Sequence, residues 1–192
     1  MIKTLALLVA SMSLGTLVLC LMETEPAQPI PAVDLRAVGP DPAKAELPIV
    51  QQTDVPVQSV KWRNIIVHDA GREGAGIASG CHFIVGSADR FGDGVIQATA
   101  RWRRQQEGHH IHVPGYDFNA NSIGIAVLCD CRRARPTARQ VEALVRLLRA
   151  LQLACSVSPD HVYLHSELGE QGCPGGHFPA EAIRQSLLPA AK

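Results

Sequence analysis

Two histidines and a cysteine stand where a fold can gather them. His68 closes the β-branched run Asn64-Ile65-Ile66-Val67, His165 closes the run Val162-Tyr163-Leu164, and Cys173 follows eight residues later in the turn-rich stretch Gly172-Cys173-Pro174-Gly175-Gly176. Strand ends and the loops after them are where side chains converge on ligands. Two imidazoles and one thiolate make a donor set of borderline softness suited to tetrahedral zinc, and three protein donors leave a fourth position open for water. That is the arrangement of a catalytic metal site rather than a closed structural one. The spacing alone does not select it, because a single strand-end histidine is more often a hydrogen-bonded structural residue.

Bringing these residues together requires strands to carry them and helices to cover the strands. The run at 64–68 reads as a buried strand. Segments 81–85 and 95–99 flank the turn-rich Asp89-Arg90-Phe91-Gly92-Asp93-Gly94, which predicts a hairpin. Residues 122–128 form another apolar strand, and 162–165 a last one. Thr137 with Gln140 three residues on is a capping box, and Val141, Leu144, Val145, Leu148 and Leu151 recur at helical spacing, so a helix is predicted over 138–154. Pro179 opens a short final helix. Strands interleaved with helices predict a single α/β domain, a central mixed sheet flanked by helices.

The whole chain bounds this reading. Its 192 residues, 46% of them apolar, permit one compact domain, and 18 basic residues balance 18 acidic ones. A neutral balance removes the electrostatic footprint of a nucleic-acid binder, so no nucleic-acid partner is expected. Lys3 precedes an uncharged, mostly apolar run over 4–22 that ends before Glu23 and Glu25, the pattern of an export signal or an N-terminal membrane anchor. Cys20 invites a lipid-attachment reading, but Leu19 stands where such signals want a small residue. Residues 23–58 hold seven of the 13 prolines and read as a disordered linker, which leaves 59–192 as the folded domain. An exported, envelope or periplasmic monomer is expected, touching membrane only through its first segment.

The ordered motifs Trp62-Arg63-Asn64-Ile65-Ile66-Val67-His68, His82-Phe83-Ile84-Val85, Asp93-Gly94, Gly108-His109-His110, Asn121-Ser122-Ile123-Gly124-Ile125, His165, Cys173-Pro174-Gly175 and Phe178-Pro179 resemble those of the zinc N-acetylmuramoyl-L-alanine amidases, the family that includes phage amidase lysozymes and the peptidoglycan recognition proteins. The resemblance implies zinc as cofactor, held by His68, His165 and Cys173, and a sheet-and-helix fold of that family. It implies peptidoglycan or a muropeptide as the partner, cut at the amide between N-acetylmuramic acid and L-alanine. His110 aligns with a groove histidine and, with Asn121, is a substrate-binding candidate; Trp102 is a third, as a ring on which a sugar could stack. Cys173 must then remain a thiolate outside any disulfide.

Three positions depart from the family's catalytic pattern. Cys81 stands in place of a tyrosine, Ala126 in place of a glutamate, and Gln171 in place of a lysine or threonine. Gln171 can still donate an amide N–H to an oxyanion, an effect on the order of 3 kcal/mol. Glu170, Glu167 and Asp69 are candidate replacement bases. A fourth departure is the glycine-rich stretch 69–81, too short and too flexible for a helix with two connections, which predicts a shallower cleft. These departures leave a zinc-containing recognition module as the alternative to an enzyme, and hydrolysis of another amide as a third reading. His82 reads as a buried, hydrogen-bonded strand residue. Cys129 and Cys131 each have Cys81 and Cys155 as possible partners, and the pairing stays open.

Overall fold

The computed structural model describes residues 48–71, 75–169 and 172–190, all within one compact unit, Val33–Lys192. The apolar segment 1–22, expected to be an export signal or anchor, most of the proline-rich segment, and the catalytic candidates Glu170 and Gln171 lie outside the described residues. No described helix is long and apolar enough to cross a membrane.

Five strands form one mixed sheet: β1 Asn64–Asp69, β2 Phe83–Val85, β3 Ile96–Ala98, β4 Ser122–Val127 and β5 Val162–Leu164, in the order β3-β2-β4-β1-β5. Only the β2/β3 hairpin is antiparallel; β2, β4, β1 and β5 run parallel, so the C-terminal ends of the four share one edge. Alternation divides the sheet's residues between two faces. Ile65, Val67, Phe83, Val85, Ile123, Ile125, Val127 and Val162 enter the main core. There they meet Val141, Leu144, Val145, Leu148 and Leu151 of a long helix, Ala138–Cys155. The other helices are short: α1 Ala75–Gly80, α2 Ala100–Arg103, α3 Phe118–Asn121 and, after the long α4, α5 Ala180–Gln185.

The start of α4 is fixed twice. Thr137 and Gln140 form the expected capping box, and the buried Gln140 amide also donates to the carbonyls of Gly86 (3.0 Å) and Leu128 (2.9 Å). One side chain thus satisfies the helix end and ties it to the ends of β2 and β4.

On the opposite face, β1 presents Asn64, Ile66 and His68 while β4 presents Ser122, Gly124 and Ala126, all small. Small residues there leave room for the loop around residues 108–112 to lie against the sheet. A Cβ on Gly124 would come within 2.5 Å of the His110 ring, so glycine is a packing requirement at this position.

The structure corrects three readings. Residues 48–58 are part of the domain and not linker: Val50 is buried, Trp102 Nε1 donates to its carbonyl at 2.9 Å, and the Asp54 N–H donates to Arg103 at 2.7 Å. The glycine-rich stretch after His68 does contain a helix, α1, held by packing where propensity fails: Ala78 joins Ala70, Cys81, Ala126 and Leu128 in a small second core. Cys129 and Cys131 are bonded to each other, in the turn that follows β4, while Cys81 and Cys155 are free and buried.

Candidate metal centre

Parallel neighbours β1 and β5 deliver the two histidines to one edge. His68 is the penultimate residue of β1, on the face away from α4, and is fully buried; His165 opens the 3-10 turn His165–Leu168 directly after β5. Cys173 arrives from the loop that follows. The three ligand atoms lie within 4.8 Å of one another, and the two imidazole centroids are 4.3 Å apart. Zinc bonds of roughly 2.0–2.3 Å place tetrahedral donors roughly 3.3–3.8 Å apart, so side-chain rotation of about an ångström closes the set.

Whether these residues suit a metal is decided at His68. Its Nε2 faces His110 Nδ1 at 3.0 Å, while its Nδ1 is buried without a hydrogen-bond partner. Leaving a buried lone pair unmatched is costly. The tautomer with the proton on Nε2, donated to His110, leaves Nδ1 free to ligate. Burial, then the neighbouring His110 and His165, hold the His68 pKa well below the ordinary histidine value, so the ring is neutral as a metal ligand must be. Two imidazoles and a cysteine outside any disulfide fit zinc.

His110 was expected to contact substrate. Instead it is buried behind His68, its ring packed over Gly124 and its backbone N–H donated to Asn119 Oδ1 at 3.0 Å. Burial and then His82 push its pKa down to about 3, with the Ser122 backbone opposing them. His82 itself accepts from the Gly124 N–H through Nδ1 (2.9 Å), which leaves Nε2 to donate to the Gln106 carbonyl (3.0 Å). Burial holds it near 4, a neutral peg between β4 and the loop. The small residues 122, 124 and 126 on one face were the sequence signal for a ring packed there.

The other candidates separate from the site. Trp102 is no sugar platform: it is fully buried against Phe83, ring centroids 4.8 Å apart. Asn121 lies at the opposite strand end, roughly 17 Å along β4 from the level of His68, where it accepts from Asn64 (3.0 Å) and donates to the Tyr116 hydroxyl (3.2 Å). Glu167 caps its own turn by accepting the Leu164 N–H at 2.8 Å and pairs with Arg184. Asp69 Oδ2 accepts the backbone N–H groups of Cys131 (3.1 Å) and Gly175 (3.0 Å). Neither carboxylate is a free base. Cys81 and Ala126 sit in the small apolar core, and burial raises the Cys81 thiol far above its usual range, with Cys173 adding to the effect.

Comparison with known proteins places these features in a wider set. The profile of the N-acetylmuramoyl-L-alanine amidase family matches residues 53–176. Among solved structures, the chain is similar to the N-acetylmuramoyl-L-alanine amidase LysC from Clostridium intestinale (22% identity, TM-score 0.52, covering 68% of this chain and 89% of that one). It is similar also to the amidase AmiD from E. coli, solved with anhydro-N-acetylmuramic acid-L-Ala-D-gamma-Glu-L-Lys (16%, 0.54, 71% and 62%). An AmpD derivative is comparable (18%, 0.52, 70% and 93%). At these identities the likeness is one of fold. No curated protein matches the chain by sequence.

Proposed function

The chain belongs to the N-acetylmuramoyl-L-alanine amidase family, and from that premise we propose that it is a zinc hydrolase of peptidoglycan, cutting the amide between N-acetylmuramic acid and L-alanine. The observation that carries the zinc half of this reading is the buried, unpartnered Nδ1 of His68 beside His165 and Cys173. The substrate half rests on the family and on the muropeptide bound by E. coli AmiD. The leader-like residues 1–22 support an exported location, where such a substrate lies.

His68, His165 and Cys173 would hold the ion, which when bound supplies Lewis-acid polarisation of an amide carbonyl and activation of water near neutral pH. The protein's own part is to keep the ligands neutral or thiolate and correctly turned. His110 does this for His68 by taking its Nε2 proton in a hydrogen bond. Proton delivery to the leaving L-alanine nitrogen cannot come from Ala126, and Cys81 is a buried thiol. Those roles pass to the residues just before Cys173: Glu170 for the proton, Gln171 as an amide donor to the oxyanion.

One observation favours a second reading. The apolar cluster around Cys81 and Ala126 fills the positions of two family catalytic groups, as in a recognition module that keeps zinc and binds peptidoglycan without cutting it. A single experiment separates the two: zinc content of the full chain, measured with release of L-alanine-terminated stem peptides from sacculi, with and without chelator. Chelator-sensitive release establishes the hydrolase. Stoichiometric zinc and sacculus binding without release establish the module.

A further inference from the structure

The described residues of the loop that carries Cys173, 172–179, contain no regular structure before α5, and Gly172 adopts a positive φ. A metal ligand on such a segment needs an external hold. Asp69 supplies contacts of the right kind, for it follows His68 directly and faces this loop with both its backbone and its side chain. The Asp69 carbonyl lies 3.7 Å from Cys173 Sγ, and its Oδ2 accepts the N–H of Gly175, two residues beyond Cys173, at 3.0 Å. The same oxygen accepts the Cys131 N–H at 3.1 Å, from the turn closed by the Cys129–Cys131 disulfide. That turn leans directly on the ligand loop: the Cys131 carbonyl accepts the His177 N–H at 2.9 Å, and a Cβ on Gly175 would collide with the backbone of Cys131 and Arg132.

We propose that Asp69 is a positioning residue for the metal centre: one carboxylate oxygen pins the Cys173 loop and the disulfide-closed turn to the end of β1, so that His68 and Cys173 face each other across the ion. Asp69 is thereby a clamp and not the replacement base considered from the sequence. The role needs a hydrogen-bond acceptor and not a negative charge, so asparagine should fill it and alanine should not. The inference rests on the zinc reading above.

The test uses the full-length chain with Asp69→Ala and Asp69→Asn, read by zinc affinity in competition with a chromophoric chelator and by the thiolate-to-metal charge-transfer band of the cobalt-substituted protein. Asp69→Ala should bind zinc about 10–100-fold more weakly, in the range seen for outer-shell partners of metal ligands, and should lose most of the cobalt–thiolate band. Asp69→Asn should retain both. Should the alanine variant fail to fold, Asp69→Val, which suits a strand end, takes its place with the same expectation. An unchanged affinity and band in the acceptor-free variant would overturn the clamp, and so would equal losses in the alanine and asparagine variants. Wild-type protein that binds no zinc removes the metal reading and the clamp together; wild-type binding with unaffected variants removes the clamp alone.

Discussion

At the scale of single residues, the site is held by histidines doing unlike work. His68 offers Nδ1 outward because His110 takes Nε2, and His110 can lie behind it because residue 124 has no side chain. His110→Ala should therefore lower zinc affinity about 10–100-fold while a chelated sample keeps its fold by circular dichroism. His82 predicts a pH dependence. Its pKa falls from 6.5 unfolded to about 4 folded, so between those values the unfolded chain binds a proton the native one refuses. Stability is then full above about pH 6.5 and declines as pH falls toward 4, by about 3 kcal/mol for this group. Denaturant melts of zinc-free wild type and His82→Asn across that interval should show a shallower decline in the variant. His68, His165 and Cys173, which the fold gathers within 4.8 Å, stood out in the sequence through donor chemistry joined to the family motifs, since spacing alone does not select them. The fates of Trp102 and His110 were not, since burial of a tryptophan or a histidine depends on neighbours distant along the chain.

At the scale of elements, the regular pieces were the most readable. The α4 helix and its capping box follow from periodicity and local hydrogen bonding, and the buried strands β1 and β4 from short apolar runs, signals that act within a few residues. Thr137→Ala should cost about 1 kcal/mol, measurable as a lower denaturant midpoint with unchanged slope. The short helix α1 runs against the expectation for its glycine-rich sequence because Ala78 packs into the small core with Ala126 and Leu128. The Cys129–Cys131 pairing was open for a related reason: proximity of two cysteines in a turn depends on where β4 ends, and it ends at Val127. Closing so short a loop removes little unfolded-state entropy, roughly 1.6 kcal/mol in the chain-entropy account. Replacing both cysteines with serine should thus lower global stability only by about that much.

At the scale of the molecule, the domain begins earlier than composition indicates. Proline density marks 23–58 as one segment, yet its last part docks through Val50, with Ile49 and Val57 packed alongside. A fragment starting at residue 59 exposes the cavity of Val50, worth about 1.5–3 kcal/mol, and orphans the buried Trp102 N–H, about 1–3 more. It should unfold at clearly lower denaturant than a fragment starting at residue 48. The docked strap has an optical corollary. The chain's only tryptophans, Trp62 and Trp102, are fully buried with centroids 6.1 Å apart, and the His82 ring is 4.8 Å from Trp62. Intrinsic emission is therefore a native reporter on one corner of the fold: undocking of 48–50 shifts it to the red, and an imidazolium forming at His82 quenches it, with no dye attached.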